Sequence, residues 1–411
     1  MSDVESHDVI IIGGGPAGLA AATELRRLGI RDVVVLEREQ QAGGVPRHCG
    51  HRGFGWQEFR RLLTGPAYAR RLIAATEGID LRTGTTVLGL QDDGHIRVLT
   101  PGGIRLLQGH RILLALGTRE TPRAARLVSG SRPWGVFTTG ALQQLVYLGG
   151  LKPCTRAVIV GSELVSFSCL LTLRHAGIQM LAMLEESAHV VAPQPAEWLA
   201  RTALSTRILK NARLVCIHGD THVTGIEIES KGAREFLNCD GVIFTGKFVP
   251  EAALLANSPL AIDAATGGPV IDQYGRCTDP TYFAAGNLLR PVEASWTVWS
   301  EGRAVARAMA ASLRGQLPMA MRQVKLTTRD PVRYVCPQNI SFPASIAPAL
   351  PINVRVNQGV RGRLRLLDGN REIWGSPRCL QPERRITLPA IAHPPEHAAD
   401  WVIDVDLQGR R

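Results

Sequence analysis

Asp8-Val9-Ile10-Ile11-Ile12-Gly13-Gly14-Gly15-Pro16-Ala17-Gly18 is the stretch on which the fold turns. A β-branched run ends in a glycine cluster, apolar residues then recur at helical spacing from Pro16 to Leu28, and Gly29 stands at the stop. The reading is strand, tight turn, helix. Val33-Val34-Val35-Leu36-Glu37 supplies a second buried strand, and two such strands joined by a helix predict a parallel sheet wound with helices. In Gly13-x-Gly15-x-x-Gly18 the first glycine permits the turn and the second lets a diphosphate approach the backbone. The third lets helix and strand pack closely, so that the helix directs its free N–H groups at the phosphates. Glu37 ends the second strand, where a carboxylate can accept both hydroxyls of an adenosine ribose. A glycine pattern alone is weak; with strand, helix and terminal acid in place it predicts a dinucleotide site.

The same unit recurs about 150 residues later, as Ala157-Val158-Ile159-Val160-Gly161, a helix over 164–175 and a strand over 180–184. Only its first glycine is kept: Glu163 and Ser166 stand where the other two belong. A carboxylate facing a diphosphate is repulsive, and Glu185 and Glu186 would oppose a 2′-phosphate, so NADP is less favoured than NAD. Three readings stay open: a nicotinamide site, an adenine nucleotide (NAD, ADP or ATP) held without turnover, or a purely structural fold. Between the two units lie a Gly-rich stretch over 43–55, a helical segment over 58–63, a β excursion over 85–100 turning at Asp93-Gly94, and a buried strand over 111–115. Strands at 269–272 and 282–286 and a helix at 296–313 are expected to rejoin the first domain. Past Lys325 the texture alternates apolar and polar over 352–356, 362–367, 385–388 and 401–407, the pattern of a small all-β sandwich. The expected α/β architecture is two Rossmann-like dinucleotide-binding domains, 1–122 with 269–324 and 123–268, plus a C-terminal all-β domain at 325–411. Cutting the chain after Arg329 is expected to leave cofactor binding intact.

Composition narrows the classes. With 411 residues, 45% hydrophobic and 20% charged, the chain has material for more than one core. No apolar run approaches the ~18 residues of a membrane span, and the polar, acidic start has no basic region typical of a secretory signal. A cytoplasmic protein is expected. The formal charge is +11, and 42 of the 47 basic residues are Arg, spread along the chain. This is an Arg-rich habit or the mark of an acidic partner or membrane surface; no basic run with interleaved aromatics speaks for nucleic acid. The eight cysteines form no C-x-x-C pair, so no redox dithiol and no metal site is expected. His393-Pro394-Pro395-Glu396-His397 mimics a zinc helix, but its two prolines keep both His residues off one helix face.

Two further stretches carry a resemblance. Ile112 to Arg123 resembles the "ATGxxP" stretch of two-dinucleotide flavoproteins, with Leu116 in place of Thr; Tyr282 to Asn287 resembles their "YAxGD" stretch, with Asn287 in place of Asp. In order and spacing, residues 8 to about 315 are similar to the glutathione-reductase-like fold, which implies FAD. In that family the Asp hydrogen-bonds the flavin ribityl chain; Asn287 can still accept a hydrogen bond but carries no charge. The segment Gly43-Gly44-Val45-Pro46-Arg47-His48-Cys49-Gly50-His51 with Gly53-Phe54-Gly55, and Gly161 to Ser168, resemble the FAD-binding α (or A) subunits of heteromeric bacterial dehydrogenases. Opine oxidases, hydrogen cyanide synthase and dye-linked proline or hydroxyproline dehydrogenases make up that group.

The resemblance implies oxidation of a C–N bond of an amino acid or secondary amine on a partner flavoprotein similar to glycine and sarcosine oxidases. Electrons would leave through this chain, beside a small 2Fe–2S protein, to a respiratory acceptor, with the complex peripheral to the inner membrane. Cys336 and Cys379 are too few for a cluster, so another polypeptide would supply its ligands. The implied FAD-binding set is Gly13, Gly15, Pro16, Ala17, Gly18, Glu37, Arg38, Gly44, Arg47, His48, Val87, Ala115, Gly117, Gly286, Asn287 and Ser295. Arg47 or His48 would set a cation near flavin N1, or else bind phosphate or pack. Trp296 and Trp299 would pack in the core, or else line a flavin-side pocket or an interface. The rivals are a free-standing NAD(P)H-dependent flavin reductase and a structural or regulatory nucleotide-binding subunit.

Overall fold

The computed structural model describes residues 4–343, 347–382, 384–389 and 400–407, and the chain divides into two compact units. The first comprises Met1–Gly44, Ala69–Thr118 and Pro250–Arg411; the second comprises Val45–Tyr68 and Arg119–Val249. The His393–His397 pattern lies outside the described residues.

In the first unit, β1 (Glu5–Ile12), α1 (Pro16–Arg27) and β2 (Val33–Leu36) follow the sequence reading. Buried on both faces, as parallel strands are, Ile10 of β1 pairs with Val34 on one side and Ile112 on the other. The sheet runs Asp80–Arg82, β2, β1, Gly103–Leu114, His95–Thr100, Thr86–Leu90, with Tyr282–Ala284 parallel to the far end of Gly103–Leu114. The excursion turning at Asp93-Gly94 is antiparallel as expected. A long helix, Ser295–Leu313, packs on α1.

The C-terminal strands form two sheets. One has five strands, Asn339–Phe342, Arg322–Thr328, Trp401–Asp406, Val360–Asp368 and Arg371–Leu380; the other has Val332–Cys336, Asn353–Val356 and Ile386–Thr387. Val354, Leu364, Leu366 and Ile403 fill the space between them without exposure. This sandwich belongs to the first unit rather than hanging from it. Gln273 and Ser341 exchange two hydrogen bonds of 2.7 and 2.8 Å, Gln338 donates to Ile271 O, and Cys336 and Leu350 enter the core of the first sheet.

The second unit holds a parallel sheet ordered Val136–Thr138, Gly241–Phe244, Arg156–Val160, Gln179–Glu185, Ile208–Lys210, with the helix Leu164–His175 following the second turn. A second sheet, Ser129–Gly130, Ala212–Gly219, Val223–Ser230 and Ala233–Leu237, and the helix Thr139–Tyr147 went unread in the sequence.

Three expectations are corrected. The chain rejoins the first unit at Pro250, earlier than residue 269, because Leu255 and Leu260 are buried in that unit's core. Pro269–Asp272 makes isolated bridges instead of a strand: Asp272 Oδ1 accepts the N–H groups of Tyr274 and Arg276 and closes a turn. The segment over 58–63 is no helix. One turn at Trp56–Phe59 ends where Arg60 adopts φ +53°, and Leu63–Thr64 pairs with Arg52–Phe54.

Candidate functional site

The first glycine turn is built by backbone crowding. Gly13 donates to Leu36 O at 2.9 Å with φ +111°, and a Cβ there would overlap Ala115 O. A Cβ on Gly18 would overlap Gly13 O, so the opening helix sits tight on the turn. Beyond these contacts the turn is open: a Cβ on Gly15 would meet only Gly44 Cα, at 3.9 Å, and one on Gly117 nothing within 4 Å. Gly43 donates to Gly14 O at 2.7 Å, which holds Gly44 over the turn. No side chain caps α1, and Pro16 opens it, so the first-turn N–H groups face the space that Gly15 leaves. Glu37 lies buried beside them, Oε2 accepting Gly14 N–H and Oε1 accepting Glu39 N–H, both at 2.9 Å. Small backbone, uncapped donors and a flanking carboxylate fit the diphosphate and ribose of a dinucleotide.

Other members of the expected set gather on the same fold. Gly286 and Gly302 both approach Ala17, with a Cβ on Gly286 3.0 Å from Ala17 Cβ. Ala115 donates to Ile12 O, and Val87 follows Thr85, whose N–H is held by Glu37 O. Arg38 is exposed directly after Glu37, and Ser295 begins the long helix. Asn287 Oδ1 accepts Glu293 N–H at 2.7 Å and Nδ2 donates to Glu293 O, so the amide braces the loop leading into that helix. Arg47 and His48 fold with the second unit, in the short turn Val45–His48. Trp299 is covered by the Arg303 guanidinium, 4.7 Å from the ring centre, and Trp296 is exposed; neither fills the core.

A charged cluster that sequence reasoning missed surrounds Glu293. Arg290, 1% exposed, pairs with Glu301 and Glu293, while Arg355 of the sandwich donates to Val292 O at 2.9 Å and reaches Glu293 Oε1 at 3.4 Å. Arg385 approaches the other Glu293 oxygen at 3.6 Å. Arginines up to 92 residues from their partner leave no local signal in the sequence.

The Cys49 thiol is poorly suited to redox exchange. Cys49 is buried with Sγ 3.4 Å from Val45 O and 3.6 Å from Gln143 Oε1, and burial, helped by the charge of Glu120, pushes its thiol up to about 12. Cys154 and Cys169 are likewise buried and shifted upward, and all eight cysteines are free. In the second turn the Glu163 side chain stays inside, bonded to Ser166 and Thr245. Among the described residues no helix is long and apolar enough to cross a membrane.

The opine oxidase A subunit of Agrobacterium tumefaciens (strain Ach5) is 23% identical over 356 residues, 78% of this chain and 67% of its own length. That of Rhizobium meliloti is 22% identical over 76% of this chain and 62% of its own. The F subunit of alkyl hydroperoxide reductase of Staphylococcus aureus (strain MRSA252) is 25% identical over 69% of this chain. The chain thus spans about two thirds of the opine oxidase subunits and about half, 54%, of the peroxide reductase subunit. Among solved structures, T. acidophilum thioredoxin reductase superposes with TM-score 0.64 at 20% identity, covering 75% of this chain and 99% of its own. L-proline dehydrogenase from P. horikoshii does so with TM-score 0.59 at 20% identity, over 77% of this chain and 57% of its own. These likenesses fix the α/β fold of thioredoxin-reductase type, consistent with two dinucleotide-binding domains. A family model matches residues 7–311, three quarters of the sequence, and by that match the chain belongs to the pyridine nucleotide-disulphide oxidoreductase family.

Proposed function

We propose that this chain is the FAD-binding, electron-transferring subunit of a heteromeric dehydrogenase that oxidises a C–N bond of an amino acid or secondary amine. The observation that carries the reading is an open first turn in a chain whose Cys49 thiol is buried and unfit for disulfide exchange. A disulfide reductase needs a reactive thiolate, and the buried, unpaired thiol of Cys49 supplies none. The likeness to opine oxidase A subunits over three quarters of the chain supports the alternative, transfer to and from protein partners.

FAD, when bound, accepts a hydride equivalent and releases electrons singly or in pairs. The chain's own residues hold it. The N–H groups of α1 receive the diphosphate, with Gly15, Gly44 and Gly117 keeping side chains out of its path. Glu37 has lone pairs left for ribose hydroxyls beyond the two N–H groups it already accepts. Arg38, Val87, Ala115, Gly286 and Ser295 flank the cofactor, and Asn287 fixes the loop that leads to the long helix. In this reading Arg47 or His48 would supply the cation that stabilises the reduced flavin. The partners of this reading are a flavoprotein similar to glycine and sarcosine oxidases, a small 2Fe–2S protein and a respiratory acceptor, in the cytoplasm and against the inner membrane through the complex.

A free-standing NAD(P)H-dependent reductase is the second reading, favoured by the likeness to thioredoxin reductase over 99% of that chain. Anaerobic mixing separates the two. The FAD-loaded protein is expected to keep its visible flavin absorbance with NADH or NADPH and, once photoreduced, to pass electrons to an artificial dye. Rapid bleaching by either nicotinamide establishes the reductase instead, and failure to reduce the dye leaves a structural subunit. Colourless protein that takes up no FAD overturns both flavin readings.

A further inference from the structure

The two nucleotide-type folds correspond hydrogen bond by hydrogen bond. Gly13 donates to Leu36 O and Gly161 to Leu184 O, each at 2.9 Å. Ala115 donates to Ile12 O at 2.9 Å and Thr245 to Val160 O at 3.0 Å. Gly43 donates to Gly14 O, and Ala192 to Ser162 O. The strand-end acids match as well. Glu37 accepts Gly14 N–H and Glu39 N–H; Glu185 accepts the Ser162 hydroxyl and, at 2.8 Å, Ser187 N–H. In this correspondence Glu163 takes the place of Gly15, and Ser166 that of Gly18.

The consequence lies in what fills the turn. Where Gly15 leaves open space, Glu163 folds its own carboxylate back. Its Oε2 lies 3.2 Å from Ser166 Oγ and 3.1 Å from Thr245 Oγ1, two hydroxyls of fully buried residues that also share a hydrogen bond of 2.6 Å with each other. It lies 2.6 Å from where a Cβ on Gly161 would stand, and Oε1 occupies the corresponding space at Gly246. Both glycines have positive φ, +123° and +61°, so the backbone itself makes way for the carboxylate. Glu163 is also the N-cap of the helix Leu164–His175, which puts the negative group at the positive end of the helix dipole. Arg126 closes the other side, donating to Thr245 O and Gly246 O at 2.8 Å. A ligand phosphate would need the same seat.

We propose that Glu163 is a resident anion that occupies the phosphate seat of the second fold and shuts it to NADH, NADPH and ADP. The second fold then serves structure, and reducing equivalents enter the protein by another route. A diphosphate would have to displace a carboxylate held by two hydroxyls and accept its charge within a few ångströms, and both costs disappear when the side chain is removed.

The test is a calorimetric titration of the full chain, saturated with FAD so that the first turn is filled, using NADH and ADP as separate probes. Wild type is expected to show no saturable binding. Glu163→Gly is expected to bind at least one probe, with affinity raised about tenfold or more, equivalent to about 1.4 kcal/mol. Glu163→Gln fills the same space and is expected to stay shut. Should Glu163→Gly not fold, as judged by its circular dichroism, Glu163→Ala is read in the same titration. Wild-type binding as tight as that of the variant overturns the proposal, as does a folded variant that binds neither probe. FAD uptake is scored before the titration and nucleotide binding to the second fold afterwards, so failure of the flavin assignment and failure of this proposal are read as different results.

Discussion

Glu24 and Glu37 are both carboxylates buried in the first unit, and their surroundings give them opposite tasks. Glu37 meets only backbone N–H groups among its described hydrogen bonds and keeps acceptor capacity. Glu24 is 1% exposed; burial alone would raise its pKa, but hydrogen bonds from Arg27, Arg303 and Arg307 override this and hold it at about 2. A folded-state pKa below the ordinary 4.5 contributes stability that is present above 4.5 and lost as pH falls toward about 2. Since Arg27 and Arg307 are more than half exposed, the contribution is about 2 kcal/mol. Glu24→Gln is therefore expected to lower the urea-unfolding free energy by about that amount at neutral pH, with the gap to wild type closing near the acid limit. An equal gap at both extremes would contradict it. The position of Glu37 was legible in the sequence because it follows directly on a buried strand. Glu24 was not, since two of its partners lie some 280 residues downstream.

Among the elements, the opening helix and the long helix Ser295–Leu313 show how small residues set a distance. A Cβ on Gly302 would overlap Ala17 O, so the two helices touch backbone to backbone where the glycine turn begins. Gly302→Ala is expected to push them apart at a cost of about 1–3 kcal/mol, lowering Tm by several degrees. Gly89→Ala, with nothing within 4 Å and no positive φ, serves as the control that leaves Tm in place. Calorimetric melts of the two variants check this. The helix itself was read from its spacing almost to the residue, 296–313 expected and 295–313 found. In the four-stranded sheet of the second unit Ala233–Leu237 is largely exposed and polar and carries no periodic apolar signal, whereas Val223–Ser230 does alternate, with Ile226 and Ile228 fully buried. The turn at Asp272 escaped because Val270-Ile271 reads as strand until the capping carboxylate is seen in place.

At the scale of the whole molecule, the β texture past Lys325 was plain, but not its allegiance. Alternation reveals a strand, whereas the contacts that bind the sandwich to the first sheet are single polar groups scattered along loops. Gln338, Ser341 and Arg355 leave no pattern, yet they hold Ile271, Gln273 and the loop around Glu293. Truncation after Arg329 is therefore expected to abolish the cooperative unfolding transition of the first unit and FAD retention with it, contrary to the reading from texture alone. It would expose Arg290 and strip Cys336 and Leu350 from the core. A soluble fragment that melts cooperatively and keeps its flavin would refute this. The division of the chain also bears on how it matures on the ribosome. Val45–Tyr68 and Arg119–Val249 hold everything the second unit requires, so it can close while the remainder is still being synthesised. In the first unit Ile112–Leu114 must wait for Tyr282–Ala284, α1 for the long helix, and the sandwich for Trp401–Asp406 to emerge. The unit translated first is completed last, and until then the Ile112–Leu114 edge is work for a chaperone.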